Sequence, residues 1–371
     1  MERKGKAAVL VAKDAPFDVR EYAVTMPRRG QALLKLKASG VCGTDSHIHG
    51  GKIWEIVREQ VLGHEFIGEV IAMADDDATA QGIAVGDTAM VYIAVACGEC
   101  PLCRSGDSAN CVNMKVTNGG APADAPHFHG GFAEYSYAPV ANLVKVPADI
   151  DPLVASVFAC PGPTTLHAFA IMRRAGFAPE SVTTAVVQGT GPVGCFAVLY
   201  LSRLGVKNIV AVSRGNRHRD LVKSLGATEI MSLSETTEGD IAGRVKAMTG
   251  SLGADLVFEA SGNPAAIPLG IELLRNRGVY LIPGQYSNSG TAAIHPQQIT
   301  FKALALLGSS QYDMDDIAAY LAFLRDNKPL HGLIRSLATC YKVEDINTAF
   351  ADIAERKNIK TVLTPIPYVS R

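Results

Sequence analysis

The run Gln188-Gly189-Thr190-Gly191-Pro192-Val193-Gly194 limits the possible folds of this chain more than any other feature. It follows an apolar segment of strand length, residues 184–188, and opens a strongly apolar stretch of helical length, residues 192–204. Each glycine meets a requirement. Gly189 permits the tight turn, Gly191 lets the backbone approach a pyrophosphate, and Gly194 lets helix and strand pack closely. The start of the helix offers unpaired N–H groups from Val193 onward and partial positive charge to an anion, while Pro192, which has no N–H, suits the first helical position. A second apolar strand is expected at 209–212, a helix at 220–225, and later strands at 254–259 and 279–282. Strands alternating with helices imply a parallel, doubly wound sheet, so an α/β fold is expected for this part of the chain.

The end of the second strand bears on the choice of dinucleotide. An acidic residue is expected ~20 residues beyond the glycines when the ribose hydroxyls are to be held. The chain instead reads Val212-Ser213-Arg214, with Arg217 and Arg219 close behind. A carboxylate would repel a 2′-phosphate, whereas Ser213 and Arg214 can hydrogen-bond and pair with it. These residues favour NADP(H), with NAD(H) as the open alternative.

Eight cysteines are present, and four crowd into Cys97-x2-Cys100-x2-Cys103-x7-Cys111. Thiolates at this spacing can converge on one Zn²⁺ and close its coordination sphere, which fastens a lobe and does no chemistry. Gly98, Pro101 and Gly106 help the chain fold back around the ion. A net charge of -1 gives no long-range pull on nucleic acid or anionic lipid, so neither is expected as a partner. Residues 1–10 read as an opening strand, not a leader, and no stretch reaches the ~18 uncharged apolar residues of a spanning helix. A cytoplasmic protein is expected, and metal ligation suits its cysteines better than disulfides.

The first ~150 residues differ in texture. Short apolar runs at 32–38, 66–73, 85–93 and 134–137, broken by turn signals, suit the strands of a barrel-like β domain. Helices are expected at 154–159 and 164–174. From about residue 295 the pattern turns irregular, ending in a strand at 360–364 that could return to the first domain. The expected division is 1–155, 156–295 and 296–371.

A second group of chemistry-bearing residues is scattered through this framework. Gly40-Val41-Cys42-Gly43-Thr44-Asp45-Ser46-His47 is one part, Gly63-His64-Glu65 another, and Cys160 a third. Two cysteines and one histidine would leave a fourth zinc position for water or substrate. Spacing permits Cys42, His64 and Cys160 to converge but does not show it.

The landmarks together resemble the zinc-dependent alcohol dehydrogenase branch of the medium-chain dehydrogenase/reductase family. Gly-Val-Cys-Gly-Thr-Asp, Gly-His-Glu-Phe-x-Gly, the four-cysteine lobe, Gly-Gly-Phe-Ala-Glu-Tyr at 130–135 and Gly-Thr-Gly-Pro-Val-Gly occur in the family's order. The resemblance implies a GroES-like catalytic domain built from both ends of the chain and a central Rossmann domain, with substrate in the cleft between them. It implies Cys42, His64 and Cys160 as catalytic-zinc ligands, with Glu65 a nearby carboxylate able to coordinate transiently. Asp45 would orient His64, and Thr44 and His47 would carry the alcohol proton to solvent. Thr164 and Lys360 would touch the nicotinamide side and the pyrophosphate, and Gly284 joins the cofactor-binding set. Two Zn²⁺ per chain, a small-molecule alcohol or carbonyl substrate, and a homodimer or homotetramer complete the expectation. Ser213 departs from the family's acidic ribose-binding residue, and Gly43 stands where some members place a basic one.

Ile53, Trp54 and Ile93 are candidates for an apolar pocket wall, which would favour a secondary or cyclic alcohol. The loop 117–131, with His127, Phe128 and His129, is a candidate roof. One rival reading is a zinc-free quinone or enoyl reductase on the same fold. Another is a dinucleotide-binding protein without turnover. Cys42, His64 and Cys160 together argue against both.

Overall fold

The strand Gln31–Val41 organises the larger of two compact units. Its Lys35 and Lys37 face solvent while Leu34, Leu36 and Ala38 are buried, the alternation expected of a strand with one covered face. From Ala38 to Val41 every residue is buried, so both faces are covered there. This strand pairs antiparallel with Glu65–Met73, Tyr135–Pro139 and Lys360–Leu363. The full order is Leu143–Lys145, Thr88–Val91, Glu65–Met73, Gln31–Val41, Lys360–Leu363, Ala338–Tyr341, with Tyr135–Pro139 also on Gln31–Val41. A three-stranded sheet of Asp18–Ala23, Lys4–Leu10 and Gln60–Val61 completes the unit, and Phe66, Phe128 and Phe132 fill its core.

The computed structural model describes residues 3–53, 56, 58–74 and 82–366. They fall into one unit of Met1–Pro163 with Tyr312–Arg371, and another of Thr164–Gln311. Among the described residues, no helix is long and apolar enough to cross a membrane.

The second unit is a six-stranded parallel sheet in the order Glu229–Ser232, Asn208–Ser213, Thr184–Gln188, Ala254–Glu259, Leu274–Ile282, Ala305–Gly308. Numbered along the chain this is 3-2-1-4-5-6, the doubly wound Rossmann order. Thr184–Gln188 is buried along its whole length, as a strand covered on both faces must be. The helix Pro192–Arg203 follows it directly.

Several expectations shift. The run 85–93 forms a strand only at Thr88–Val91, because Gly86 takes φ 95° and turns the chain while its N–H donates to Val70 O. The tract from 295 is regular, with helices Pro296–Lys302, Met314–Asp326 and Ile346–Ala354 and the strand Ala305–Gly308. That strand pairs in parallel with Leu274–Ile282, so residues 296–311 stay with the second unit. The two units meet along the chain at Pro163/Thr164 and Gln311/Tyr312, later than the expected 155 and 295. The loop 117–131 does not stand clear as a roof. Phe128 is fully buried against Tyr22 and Tyr135, and His127 stacks on Tyr22 with ring centroids 4.7 Å apart. Ile53 packs on the same core. Ile93 is half-buried beside the turn where its carbonyl accepts Thr117 N–H, and Trp54 lies outside the described residues.

Candidate metal and cofactor sites

Cys42 follows the central strand and caps the short helix Gly43–His49, and Glu65 begins the neighbouring strand directly opposite Gly40. That register brings Cys42, His64 and Glu65 together, and Cys160 joins them. One potential ligand atom from each of the four lies within 4.8 Å of the others. The Cys42 and Cys160 sulfurs are 4.0 Å apart.

Asp45 ties this group together. It is 1% exposed, and its Oδ2 accepts the Cys42 N–H at 2.9 Å. Oδ1 accepts the Gly63 N–H and His64 Nδ1–H, both at 3.3 Å. One carboxylate therefore fixes two ligand-bearing segments, and engaging Nδ1 leaves Nε2 of His64 for a metal, the arrangement ligating histidines require. Burial lowers the His64 pKa, but Asp45 and Cys42 more than reverse this and hold it well above the usual value. The hydrogen bond shared with Cys160 holds Cys42 well below the usual thiol range and pushes Cys160 well above it. One buried thiolate, a second thiol and an oriented imidazole form a donor set that fits Zn²⁺, with a position left for a further ligand.

Glu65 and Lys360 are both fully buried and pair through Oε2 and Nζ at 2.5 Å. Nζ also donates to Val41 O at 3.2 Å. Burial pushes the Glu65 carboxyl up to about 7 against the pull of Lys360. The resemblance implies that Lys360 touches the pyrophosphate; in the structure its Nζ pairs with Glu65, inside the first unit.

Thr44 and His47 are three residues apart on Gly43–His49 and so share a face. Thr44 Oγ1 lies 3.8 Å from Cys42 Sγ. His47 is half-buried, and burial followed by the nearby Lys52 charge lowers its pKa. Sequence reading passed over Tyr312. Burial first, then the charges of Cys160, Glu65 and Cys42, push its hydroxyl well above the usual range. No sequence signal marks it.

The cysteine lobe is a separate group. One ligand atom from each of Cys97, Cys100, Cys103 and Cys111 lies within 4.8 Å of the others. Backbone N–H groups point at the sulfurs: Cys97 N to Cys111 Sγ at 3.2 Å, Cys100 N to Cys97 Sγ at 3.3 Å and Cys103 N to Cys100 Sγ at 3.5 Å. The Cys103 N–H, with that of Val112, brings the Cys100 thiol down to about 6. Four sulfurs so arranged fit a closed tetrahedral zinc.

In the second unit the glycines of the turn do what their positions require. Gly189 takes φ 97° and runs against Ser261, so a Cβ there would lie 2.8 Å from its backbone. A Cβ on Gly194 would collide with Gly189 O, whereas one on Gly191 would project into open space at the helix start. That open cradle fits a pyrophosphate. Gly284 N–H donates to Glu259 O, and a Cβ there would strike the buried Glu259 carboxylate. Ser213 Oγ donates to Gly215 O at 2.8 Å, and Arg214 is exposed. Arg219 is engaged by Glu235 and Asn216. Thr164 is half-buried on the helix Pro161–Arg174.

Comparison with known proteins agrees with this chemistry. Residues 28–148 match the family described as alcohol dehydrogenase GroES-like domain, and residues 192–326 that described as zinc-binding dehydrogenase. The chain is 32% identical over 339 residues to a 5-exo-hydroxycamphor dehydrogenase of Pseudomonas putida, covering 89% of this chain and 91% of that one. An alcohol dehydrogenase structure from Thermotoga maritima superposes with a TM-score of 0.89 at 25% identity, covering 98% of this chain and 100% of the other. A zinc-binding dehydrogenase structure from Sinorhizobium meliloti, bound to NADP, gives 0.83 at 25% identity with the same coverage. The chain belongs to the zinc-dependent medium-chain alcohol dehydrogenase family. It is an NAD(P)-dependent oxidoreductase that acts on the CH–OH group of a small-molecule alcohol.

Proposed function

We propose that the chain interconverts an apolar secondary or cyclic alcohol and its ketone with NADP(H), using a zinc held by Cys42, His64 and Cys160. The observation that carries this reading is the convergence of those three side chains within 4.8 Å, with Asp45 behind them. Bound there, zinc would supply Lewis acidity toward the substrate oxygen, and a dinucleotide on the Gly189–Gly194 turn would supply the hydride acceptor.

The chain's own residues do the rest. Asp45 fixes the Cys42 and His64 segments, so the donor set is arranged before anything binds. Thr44 takes the alcohol proton, and His47, whose pKa burial lowers, passes it to solvent. The Gly189–Gly194 turn gives close backbone approach to the pyrophosphate, and Pro192 and Val193 place the helix start against it. Exposed Arg214 stands at the end of Asn208–Ser213, suited to a 2′-phosphate, and Ser213 would join it by turning its hydroxyl away from Gly215 O. Thr164 and Gly284 complete the cofactor set. A second zinc, held by Cys97, Cys100, Cys103 and Cys111, braces the lobe and takes no part in the reaction.

A secondary or cyclic substrate is supported by the likeness to the hydroxycamphor enzyme. Self-association as a dimer or tetramer is supported by the sheet's terminal strand Ala305–Gly308, half-buried along most of its length, and by Phe301, 80% exposed on the adjacent helix.

The test is a spectrophotometric screen of secondary, cyclic and primary alcohols with each dinucleotide. The reading expects kcat/KM with NADP to exceed that with NAD by about tenfold or more, since one charge-assisted hydrogen bond is worth about 1.5–3 kcal/mol. Equal efficiency with the two cofactors refutes the preference.

A further inference from the structure

We propose that Lys360 is the positioning residue that holds Glu65 off the catalytic zinc and so keeps the fourth coordination position open. This rests on the reading of Cys42, His64 and Cys160 as zinc ligands.

The geometry begins with Gly40. Glu65 is its partner on one neighbouring strand and Val362 its partner on the other. A Cβ at Gly40 would collide with Glu65 Oε2 and stand 2.8 Å from Lys360 Cε. The missing side chain is therefore the space through which a carboxylate from one strand meets an ammonium from the other. Neither group is exposed at all, and two charges stay buried only because they face each other.

The pair uses only half of the carboxylate. Glu65 Oε2 is bonded to Lys360, while Oε1 is buried with no hydrogen-bond partner. Glu65 is nevertheless grouped with Cys42, His64 and Cys160, each offering a ligand atom within 4.8 Å of the others. A spare buried acceptor in that place has one natural partner, the metal.

Charge counting shows why Lys360 matters. Zn²⁺ with two thiolates and a neutral imidazole carries no net charge, and Glu65 with Lys360 carries none either. Without Lys360, and with His64 neutral as a ligand, the zinc ion is the positive charge left beside the buried carboxylate among the described residues. Glu65 would then fill the fourth position and turn an open site into a closed one. Lys360 thus acts on the metal through Glu65.

The experiment measures zinc content, zinc release to a chelator, and the visible spectrum of the Co²⁺-substituted full chain. Lys360→Met should release the catalytic zinc about tenfold more slowly, the lower end of what one altered contact does to metal affinity. It should also change the Co²⁺ bands. The double variant Glu65→Gln with Lys360→Met should return both readouts to the wild type. Glu65→Gln alone, whose amide oxygen can still accept from Lys360 Nζ, should release zinc at the wild-type rate with unchanged Co²⁺ bands. If Lys360→Met fails to fold, that single variant carries the test. Faster zinc loss or altered bands in Glu65→Gln means Glu65 already ligates, and overturns the proposal. So does a folded Lys360→Met that releases zinc as the wild type does. A Cys42→Ala control separates the two readings: it should lose one of two zinc ions. If it keeps both, the ligand assignment itself is wrong; if it loses one while Lys360→Met behaves as wild type, only the present inference fails.

Discussion

Replacing Asp45 by Asn removes one charge from a residue 1% exposed and changes almost nothing in shape. The carboxylate accepts three bonds, from Cys42 N–H on one oxygen and from Gly63 N–H and His64 Nδ1–H on the other. An amide has a single acceptor oxygen, so in either orientation an NH₂ faces a donor. At least one charge-assisted hydrogen bond is lost, costing about 1.5–3 kcal/mol. An independent route gives a similar figure. Loss of the group behind a ligating histidine weakens metal binding about 10–100-fold, which is about 1.4–2.8 kcal/mol. Chelator competition on the purified variant reads the effect directly. The catalytic zinc should weaken by about 10–100-fold while the lobe zinc, whose cysteines do not contact Asp45, keeps its affinity. Wild-type affinity at both sites refutes the reasoning, and so does equal loss at both, which would mean the fold had failed.

His47→Gln should slow alcohol oxidation at neutral pH by up to about 100-fold, the low end for a positioned proton carrier, with recovery at alkaline pH. Lys52→Met removes one of the causes that depress the His47 pKa, so the acid limb of the kcat–pH profile should move to higher pH. Unchanged profiles in both variants exclude the relay. Gly194→Ala forces the turn apart at Gly189 O and should weaken cofactor binding, measured calorimetrically, by about tenfold or more, as overpacking costs about 1–3 kcal/mol. An unchanged Kd contradicts the turn's role. Burial raises the Asp255 pKa, but Arg275 and the N–H groups of Thr183 and Thr184 outweigh it, and the net shift is downward. A depressed folded-state pKa gives stability that is complete above the unfolded value and is lost as pH falls through the folded one. Asp255→Asn should therefore be less stable than wild type in urea at neutral pH by about 1–2 kcal/mol, the gap closing below about pH 4. A gap independent of pH rules out the ionic origin.

The parts of the molecule that were legible in the sequence have local causes. The Gly-rich turn, the strands Thr184–Gln188 and Ala254–Glu259 and the cysteine lobe each announce themselves within a few residues, through a steric need, an apolar run or a ligand spacing. The helix Pro296–Lys302 was not legible, because it buries no residue and so carries no apolar stripe. Met314–Asp326 did carry signals: Ile317, Tyr320, Leu321 and Leu324 recur at helical spacing and are buried, and Asp313 and Asp316 form a reciprocal cap. The metal group is the intermediate case. Cys42, His64 and Cys160 could be named from resemblance, but their meeting depends on the register of Gln31–Val41 against Glu65–Met73. The pairing of Lys360 with Glu65 was not legible for the same reason. It depends on the strand Lys360–Leu363 pairing with a segment more than three hundred residues earlier, and on the space left by Gly40 between them.

The central claim is that turnover depends on zinc at Cys42, His64 and Cys160. Its most direct measurement is NADP-linked oxidation of a secondary alcohol by the chain stripped of its chelatable metal, followed by titration with Zn²⁺. Activity should vanish on stripping and return in proportion to zinc bound, with Cys42→Ala failing to recover at any zinc concentration. Undiminished turnover in the stripped enzyme, or full recovery in Cys42→Ala, would contradict the account.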